Sequence, residues 1–413
     1  MSRSIAAAFA ALLACLLVAC STATPRPSPA ARVPVVLISV DGFRADDLTP
    51  ERTPHLYRLA RAGVRAQGMT PSYPSLTFPN HYTLVTGLRP DRHGLVQNTM
   101  RDPQLGRFSL HDREAVANAA WWGGEPIWVA AEKAGMPTAT MFWPGSEAKI
   151  GGVQPQRWYE FSYDVPIDVR VDRVLGWLAE PEATRPRLVT LYFEQLDKTA
   201  HEFGPDSHEA HAMLARLDRA IGRLADTLRA RGQLDAVNLV IVSDHGMAAV
   251  PPGQVVALED MVSFEDAEPV TDGQSVGFAP RPGREAAAER RLLGRHAHYQ
   301  CWRKHELPAR WHYGRHPRVP AIVCQMDEGW DAKPREAIAR RPNRTRGSHG
   351  YDPALPSMRA LFVAHGPAFR RGAVLPAFDN VHVYPLLARL LGVREAPNDG
   401  SIAPLLPALA DNG

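Results

Sequence analysis

Apolar residues fall into two recurring arrangements along this chain. Short unbroken runs bounded by turn-forming residues occupy Val35–Val40, Thr138–Phe142, Leu188–Phe193, Val237–Val242 and Ala360–Ala364. Between them lie longer stretches in which apolar positions recur with helical spacing: Thr53–Ala62, Glu125–Ala134, Ile167–Leu178, Ser207–Arg231 and Val381–Leu391. A run without alternation predicts a strand covered on both faces, and helical spacing predicts a helix with one buried stripe. In Ser207–Arg231 that stripe is Leu214, Leu217, Ile221 and Leu224, which the spacing assigns to the core. Strands and helices alternating in this way predict an α/β fold, a central, mostly parallel sheet with helices on both faces. From 251 to 347 the alternation weakens and Arg, His, Pro and Gly accumulate. This stretch reads as an insertion packed on the main sheet rather than a separate domain. Its histidines, His296, His298, His305, His312 and His316, show no ligand spacing and read as surface or packing residues.

Composition changes the picture mainly at the N-terminus. The 413 residues are 45% hydrophobic and 22% charged, an ordinary globular balance with material for a sizeable core. A net charge of +3, from 47 basic and 44 acidic residues, gives no argument for duplex nucleic acid or an acidic membrane surface as a partner. Arg3, the apolar stretch from Ile5 to Ala19, and Cys20 read as a lipoprotein-type signal segment over 1–20, too short to span a membrane. Cys20 would carry the lipid, and Ser21 after it favours a bacterial outer-membrane address in the periplasm; a simple signal peptide cut near Ala23 is the alternative. Residues 21–33, rich in Pro, Ser, Thr and Ala, read as a tether to one domain over 34–413. Cys301 and Cys324 then remain as an even pair in an oxidising compartment, which predicts a disulfide; two buried free thiols are the other reading.

The chemistry gathers behind the strand-like runs. Val40 is followed by Asp41-Gly42, Ser243 by Asp244-His245-Gly246, and Glu194 leads to Asp197 and His201. Functional crevices of open α/β sheets lie beyond the carboxyl ends of the strands, so three strands would aim these groups at one place. Asp197 and His201, four apart, share one face of a helical turn, and the glycines after Asp41 and His245 permit sharp turns. Converging aspartates without a counter-charge would be costly to bury, and a divalent metal resolves the cost, with zinc suited to mixed Asp and His donors. Any single Asp at a strand end is more simply a cap or turn former; the set carries the weight.

A further segment runs Pro74-Ser75-Leu76-Thr77-Phe78-Pro79-Asn80-His81-Tyr82-Thr83. Thr77, just before a helix, is either an N-cap or, beside a metal, a nucleophile at a helix start that favours anions. With this segment the chain resembles the nucleotide pyrophosphatase/phosphodiesterases of the alkaline phosphatase superfamily. The resemblance is carried by Ser39-Val-Asp-Gly-Phe-Arg44, Pro74 to Thr83, Thr86-Gly-Leu-Arg-Pro90 with His93-Gly94, Tyr192-Phe-Glu to Asp197 and His201, Ser243-Asp-His-Gly-Met247, and Gly347-Ser-His-Gly-Tyr-Asp352.

The resemblance implies an alkaline-phosphatase-like fold and two zinc ions. One would be held by Asp41, Thr77, Asp244 and His245, the other by Asp197, His201 and His349. It implies that Thr77 attacks phosphorus to form a phospho-threonine, that Asn98 donates to a non-bridging phosphoryl oxygen, and that Phe78 and Tyr192 flank the substrate. Phe78 serves the core equally well on position alone. His81 and His93 read as orienting or structural residues. Sulfatase chemistry is excluded, because Thr77-Phe78-Pro79-Asn80 lacks the Cys or Ser precursor and its arginine. The expected partner is a small phosphodiester or nucleotide, cleaved by a monomer whose only membrane contact is the lipid on Cys20. A phosphate monoesterase, a choline-type lipid headgroup phosphodiesterase and a non-catalytic metal-stabilised lipoprotein are the alternatives. Arg44 is the cation that a monoesterase would enlist, unless it is structural.

Overall fold

The computed structural model of the chain describes residues 33–410. The signal segment, Cys20 and nearly all of the tether lie outside the described residues. An eight-stranded sheet forms the centre. Its strands are β1 (Val35–Val40), β2 (Val64–Ala66), β3 (Thr138–Met141), β4 (Arg157–Trp158), β5 (Leu188–Phe193), β6 (Asn238–Val242), β7 (Phe362–His365) and β8 (Ala373–Leu375), in the order β8-β2-β7-β6-β1-β5-β3-β4. β7 alone opposes the rest. All five predicted strands exist, with ends shifted by at most two residues.

The helices that flank the sheet are α1 (Pro54–Ala62), α2 (Thr77–Thr86), α3 (Ile127–Lys133), α4 (Ile167–Leu178), α5 (Gln195–Phe203), α6 (His208–Ala230) and α7 (Val383–Leu391). β1 shows why its sequence lacks alternation. Val36, Ile38 and Val40 pack with Leu56 of α1, Val171 of α4 and the Leu214-Leu217-Ile221-Leu224 stripe of α6. Val35 and Leu37 point the other way, into a core with Leu84 of α2, Trp128 of α3 and Leu386 of α7. Both faces are dry, so every position but Ser39 is apolar, and the Ser39 hydroxyl is satisfied by His81. Register then aligns the strand ends: Ser39 of β1 lies beside Tyr192 of β5 and Val242 of β6. The residues that follow these positions emerge at one edge.

The insertion packs on the main sheet through Leu307, Trp311, Tyr313, Val319 and Val323, which share a core with Val35, Val240 and Val242. It builds a separate five-stranded antiparallel sheet from Ala267–Pro269, Ser275–Pro280, Gly294–Arg295, Tyr299–Arg303 and Ile322–Met326. That sheet has its own apolar cluster, including Met261, Val276, Phe278, Leu292 and Ile322. The strands are too short for their alternation to stand out in the sequence. Cys301 and Cys324 face each other across two of them and are bridged. Two polar clamps fasten the insertion to the rest. The Asp91 carboxylate accepts the backbone N–H groups of Gly314, Arg315 and His316. Arg318 donates to Asp102 and to the carbonyls of Gly94 and Trp121. His296 stacks on Tyr299 and His298 on Trp330, as packing residues do.

Candidate active site

The aligned ends of β1, β5 and β6 deliver Asp41, Asp197 and Asp244 to one place, as the spacing predicts. Gly42 makes this possible. Its φ of 71° turns the chain sharply after Asp41, and an added Cβ would stand 3.2 Å from the Asp197 side chain. Gly246 acts differently from the turn expected of it: its φ is not positive, and an added Cβ would stand 2.1 Å from the Ser357 carbonyl. Bare backbone is needed there for close approach.

Three histidines complete the cluster, and each is oriented from behind. His245 Nδ1 lies 2.9 Å from the Gly246 carbonyl, His201 Nδ1 2.9 Å from the Gly347 carbonyl and His349 Nδ1 2.8 Å from the Ser75 carbonyl. Each Nδ1–H donates to that carbonyl, leaving an Nε2 lone pair turned toward the carboxylates. His245 Nε2 is 2.9 Å from Asp244 and 3.6 Å from Asp41; His201 and His349 are 3.4 and 3.5 Å from Asp197. Tautomer fixed by the outer nitrogen is how metal-ligating histidines are held. On the acid side, Asp41 Oδ1, Asp197 Oδ1 and Asp244 Oδ2 are buried without a hydrogen-bond donor. Buried acceptors left so are rare unless something binds them. The donor set therefore fits divalent metal, and oxygen with imidazole nitrogen suits zinc.

Electrostatics agree. Burial, then repulsion from Asp244 and Asp197, pushes the Asp41 carboxyl well up. Burial raises Asp197 as well. Asp244 is the exception: burial opposes ionisation, but His245 and His81 outweigh it and hold the carboxyl well below its usual value. Burial and the neighbouring His245 and His201 push His349 well down. A cation would relieve the carboxylate repulsion and use the His349 lone pair.

His81 also lies near Asp41 and Asp244. Its nitrogens are engaged elsewhere, Nε2 2.8 Å from the Ser39 hydroxyl and Nδ1 2.9 Å from the Thr77 carbonyl. It braces the segment that carries Thr77. His93 does likewise deeper in, 3.0 Å from the Thr83 hydroxyl, and burial lowers its pKa to about 3.

Thr77 is the first residue of α2, and Leu76 occupies the cap position without a side-chain cap. The Thr77 hydroxyl is thus free of capping duty and lies 3.4 Å from His245 Nε2. Asn98 Oδ1 accepts the Phe78 N–H at 2.9 Å, which fixes the amide and turns its NH2 away from that contact. Phe78 does two things at once: it packs against Phe108 and Trp122 and lines the cavity in front of Thr77. Tyr192 lines that cavity too, but its hydroxyl donates to Asp41 at 2.6 Å, so it also positions an acid. Arg44 proves structural, tied to Asp47 and Asp206.

The chain belongs to the type I phosphodiesterase / nucleotide pyrophosphatase family, which it matches over residues 35–352. It is 36% identical over 398 residues to a venom phosphodiesterase of Naja atra, covering 93% of this chain and 47% of that protein. The chain thus spans about half the length of several curated relatives it matches, though it covers 80% of a pyrophosphatase/phosphodiesterase of Schizosaccharomyces pombe at 35% identity and 90% of its own length. Murine ectonucleotide pyrophosphatase/phosphodiesterase 5, solved as an inactive threonine-to-alanine variant with AMP, superposes with a TM-score of 0.85 at 32% identity, covering 91% of this chain and all (100%) of that one. The sheet and flanking helices are those of this family's alkaline-phosphatase-like fold.

Sequence reasoning missed Trp143, Phe161, Tyr163 and Lys198, which also line the cavity before Thr77. Lys198 Nζ lies 5.0 Å over the Tyr163 ring. A signal was available in the density of aromatics along Trp158-Tyr159-Glu160-Phe161-Ser162-Tyr163.

Proposed function

We propose that this family member hydrolyses phosphodiester or pyrophosphate bonds of nucleotides or related diesters, with Thr77 as nucleophile and two zinc ions. Asp41, Thr77, Asp244 and His245 would hold one ion and Asp197, His201 and His349 the other. The observation that carries the reading is Thr77: an uncapping hydroxyl at a helix start, beside His245 Nε2 and the partnerless carboxylate oxygens. When bound, the metals lower the pKa of the hydroxyl and draw charge from the phosphoryl oxygens. Thr77 Oγ gives up its proton to solvent and bonds to phosphorus as the bond to the leaving oxygen breaks, yielding phospho-threonine and the free leaving group. Water then attacks that phosphorus, and Thr77 leaves with its oxygen. The Asn98 NH2, held by the contact of its carbonyl with Phe78, donates to a non-bridging oxygen, where negative charge grows. Phe78 and Tyr192, with Tyr163, line the cavity that would take a base or aryl group on the transferred side. Capture of Arg44 by Asp47 and Asp206 removes one cation that a monoester dianion would want and supports the diester reading. AMP in the related murine structure is a nucleoside monophosphate, the group such a diesterase would transfer.

The test is metal content with hydrolysis of an aryl phosphodiester. About two zinc ions per chain are expected. Thr77→Ala should cut kcat by roughly a thousandfold or more while the protein still binds metal. Metal-loaded wild type inert toward diesters, nucleotides and lipid headgroups would sink the reading.

Export is part of the same proposal, supported by the apolar N-terminal segment and the Cys301–Cys324 bridge. Among the described residues no helix is long and apolar enough to cross a membrane. A mature N-terminus without lipid on Cys20, seen by mass spectrometry, would remove the anchor.

A further inference from the structure

Two cavities meet at the histidines, and their walls differ in chemistry. The first, about 770 Å³, is lined by Asp41 and Thr77 and is rich in aromatic rings. The second, about 590 Å³, shares Asn98, His201 and His349 with the first but touches neither Asp41 nor Thr77, and it runs toward the insertion. An in-line displacement places the departing oxygen opposite the attacking one. With Thr77 attacking from the first cavity, the second, which reaches His201 and His349 but not Thr77, is the space open to a departing group.

That side is basic. Arg107, Lys333, Arg341 and Arg346 line it. Lys333 pairs with Asp272 at 2.9 Å, and Arg341 pairs with Asp331. Neighbouring Arg344 pairs with Glu202. Among the described residues Arg346 and Arg107 have no carboxylate within ion-pair distance. Arg346 is also partly buried, and burial, with Arg341 and Arg344, lowers its pKa against the pull of Asp331 and Glu202, which are beyond ion-pair distance and engaged by Arg341 and Arg344. Its backbone cannot drift from the site. Arg346 begins a strand paired with Ala248–Val250; the next residue, Gly347, supplies the carbonyl that orients His201, and His349 is three residues on. A half-buried guanidinium crowded by its own sign is costly to keep unless an anion answers it.

Building on the function proposed above, we propose that the second cavity receives the leaving group. Arg346, aided by Arg107 from the Thr99–Ser109 hairpin, then selects a leaving group that carries phosphate of its own, as in a nucleoside polyphosphate, over an uncharged alcohol. Arg346 is on this view a specificity-determining residue that contacts the departing phosphates bidentately.

Two substrates with the same transferred thymidylate test it: thymidine triphosphate, which loses pyrophosphate, and the p-nitrophenyl ester of thymidine monophosphate, which loses a phenolate. Arg346→Gln should lower kcat/KM for the triphosphate roughly ten- to a hundredfold, the worth of a hydrogen bond to a charged group, and leave the ester within about threefold. Arg107→Gln, on an exposed hairpin, should give the same selective loss at smaller size. Unchanged triphosphate cleavage in both variants, or equal losses on both substrates in both variants, would overturn the inference while leaving the phosphodiesterase reading in place. A wild type inert toward both substrates would overturn the two together.

Discussion

The ends of β1, β5 and β6 and the inserted region 251–347 face the same site with different side chains. The strand ends give Asp41, Asp244 and His245, which are buried, and Asp197 and His201, which are partly so, beyond a sheet that is dry on both faces. The insertion gives none of the proposed ligands. It contributes a wall with Lys333 and Arg341, beside a small sheet with its own core, clipped to the body by Asp91 and Arg318. The difference has a physical basis. Donors for metal must be held to within fractions of an ångström, which central parallel strands in register can do. A wall that recognises what hangs from the phosphate tolerates shorter, less regular structure, as connecting segments on a rigid scaffold commonly do.

Three substitutions would break or sharpen that contrast. Asn98→Asp keeps the acceptor for the Phe78 N–H and removes the donor, so folding should survive and kcat should fall by roughly a hundred- to a thousandfold. Wild-type turnover in that variant would take Asn98 out of the chemistry. Tyr192→Phe removes the hydroxyl that donates to Asp41. Competition against a chelator should then show metal held roughly ten- to a hundredfold less tightly, as for other residues that orient ligands from behind. Unaltered retention would make Tyr192 only a cavity wall. The smallest effect on turnover belongs to the insertion: replacing Cys301 and Cys324 by serine should cost about 3 kcal/mol in a denaturant titration yet leave cleavage of the aryl ester within about threefold. If that pair abolished ester cleavage in folded, metal-loaded protein, the insertion would be part of the reacting centre and the contrast would fail.

Much of the site was readable because it is local in sequence. An apolar run followed at once by Asp-Gly or Asp-His-Gly declares a strand and what stands at its end, and Asp197 four residues before His201 declares a shared helix face. The outcome for Thr77 was not local. Whether its hydroxyl caps the helix depends on where the helix starts, and the structure starts it at Thr77 with Leu76 before it. The insertion was the least legible region, since strands of two to six residues give periodicity little room.

The sequence by itself determined the α/β class, the positions of the central strands, the residues at their ends and the pair of cysteines able to bridge. Each of those follows from patterns within a few residues or from counting. Only the tertiary structure decided that the Tyr192 hydroxyl serves Asp41, that Arg44 is spent on Asp47 and Asp206, that His81 braces Thr77, and that Arg346 lines a cavity with His349 while the carboxylates near it pair with Arg341 and Arg344. Those facts concern which groups meet across long stretches of chain. Hydrogen bonds and ion pairs act only over a few ångströms, so their partners are fixed by how the sheet, helices and insertion pack, and no spacing along the chain carries that information.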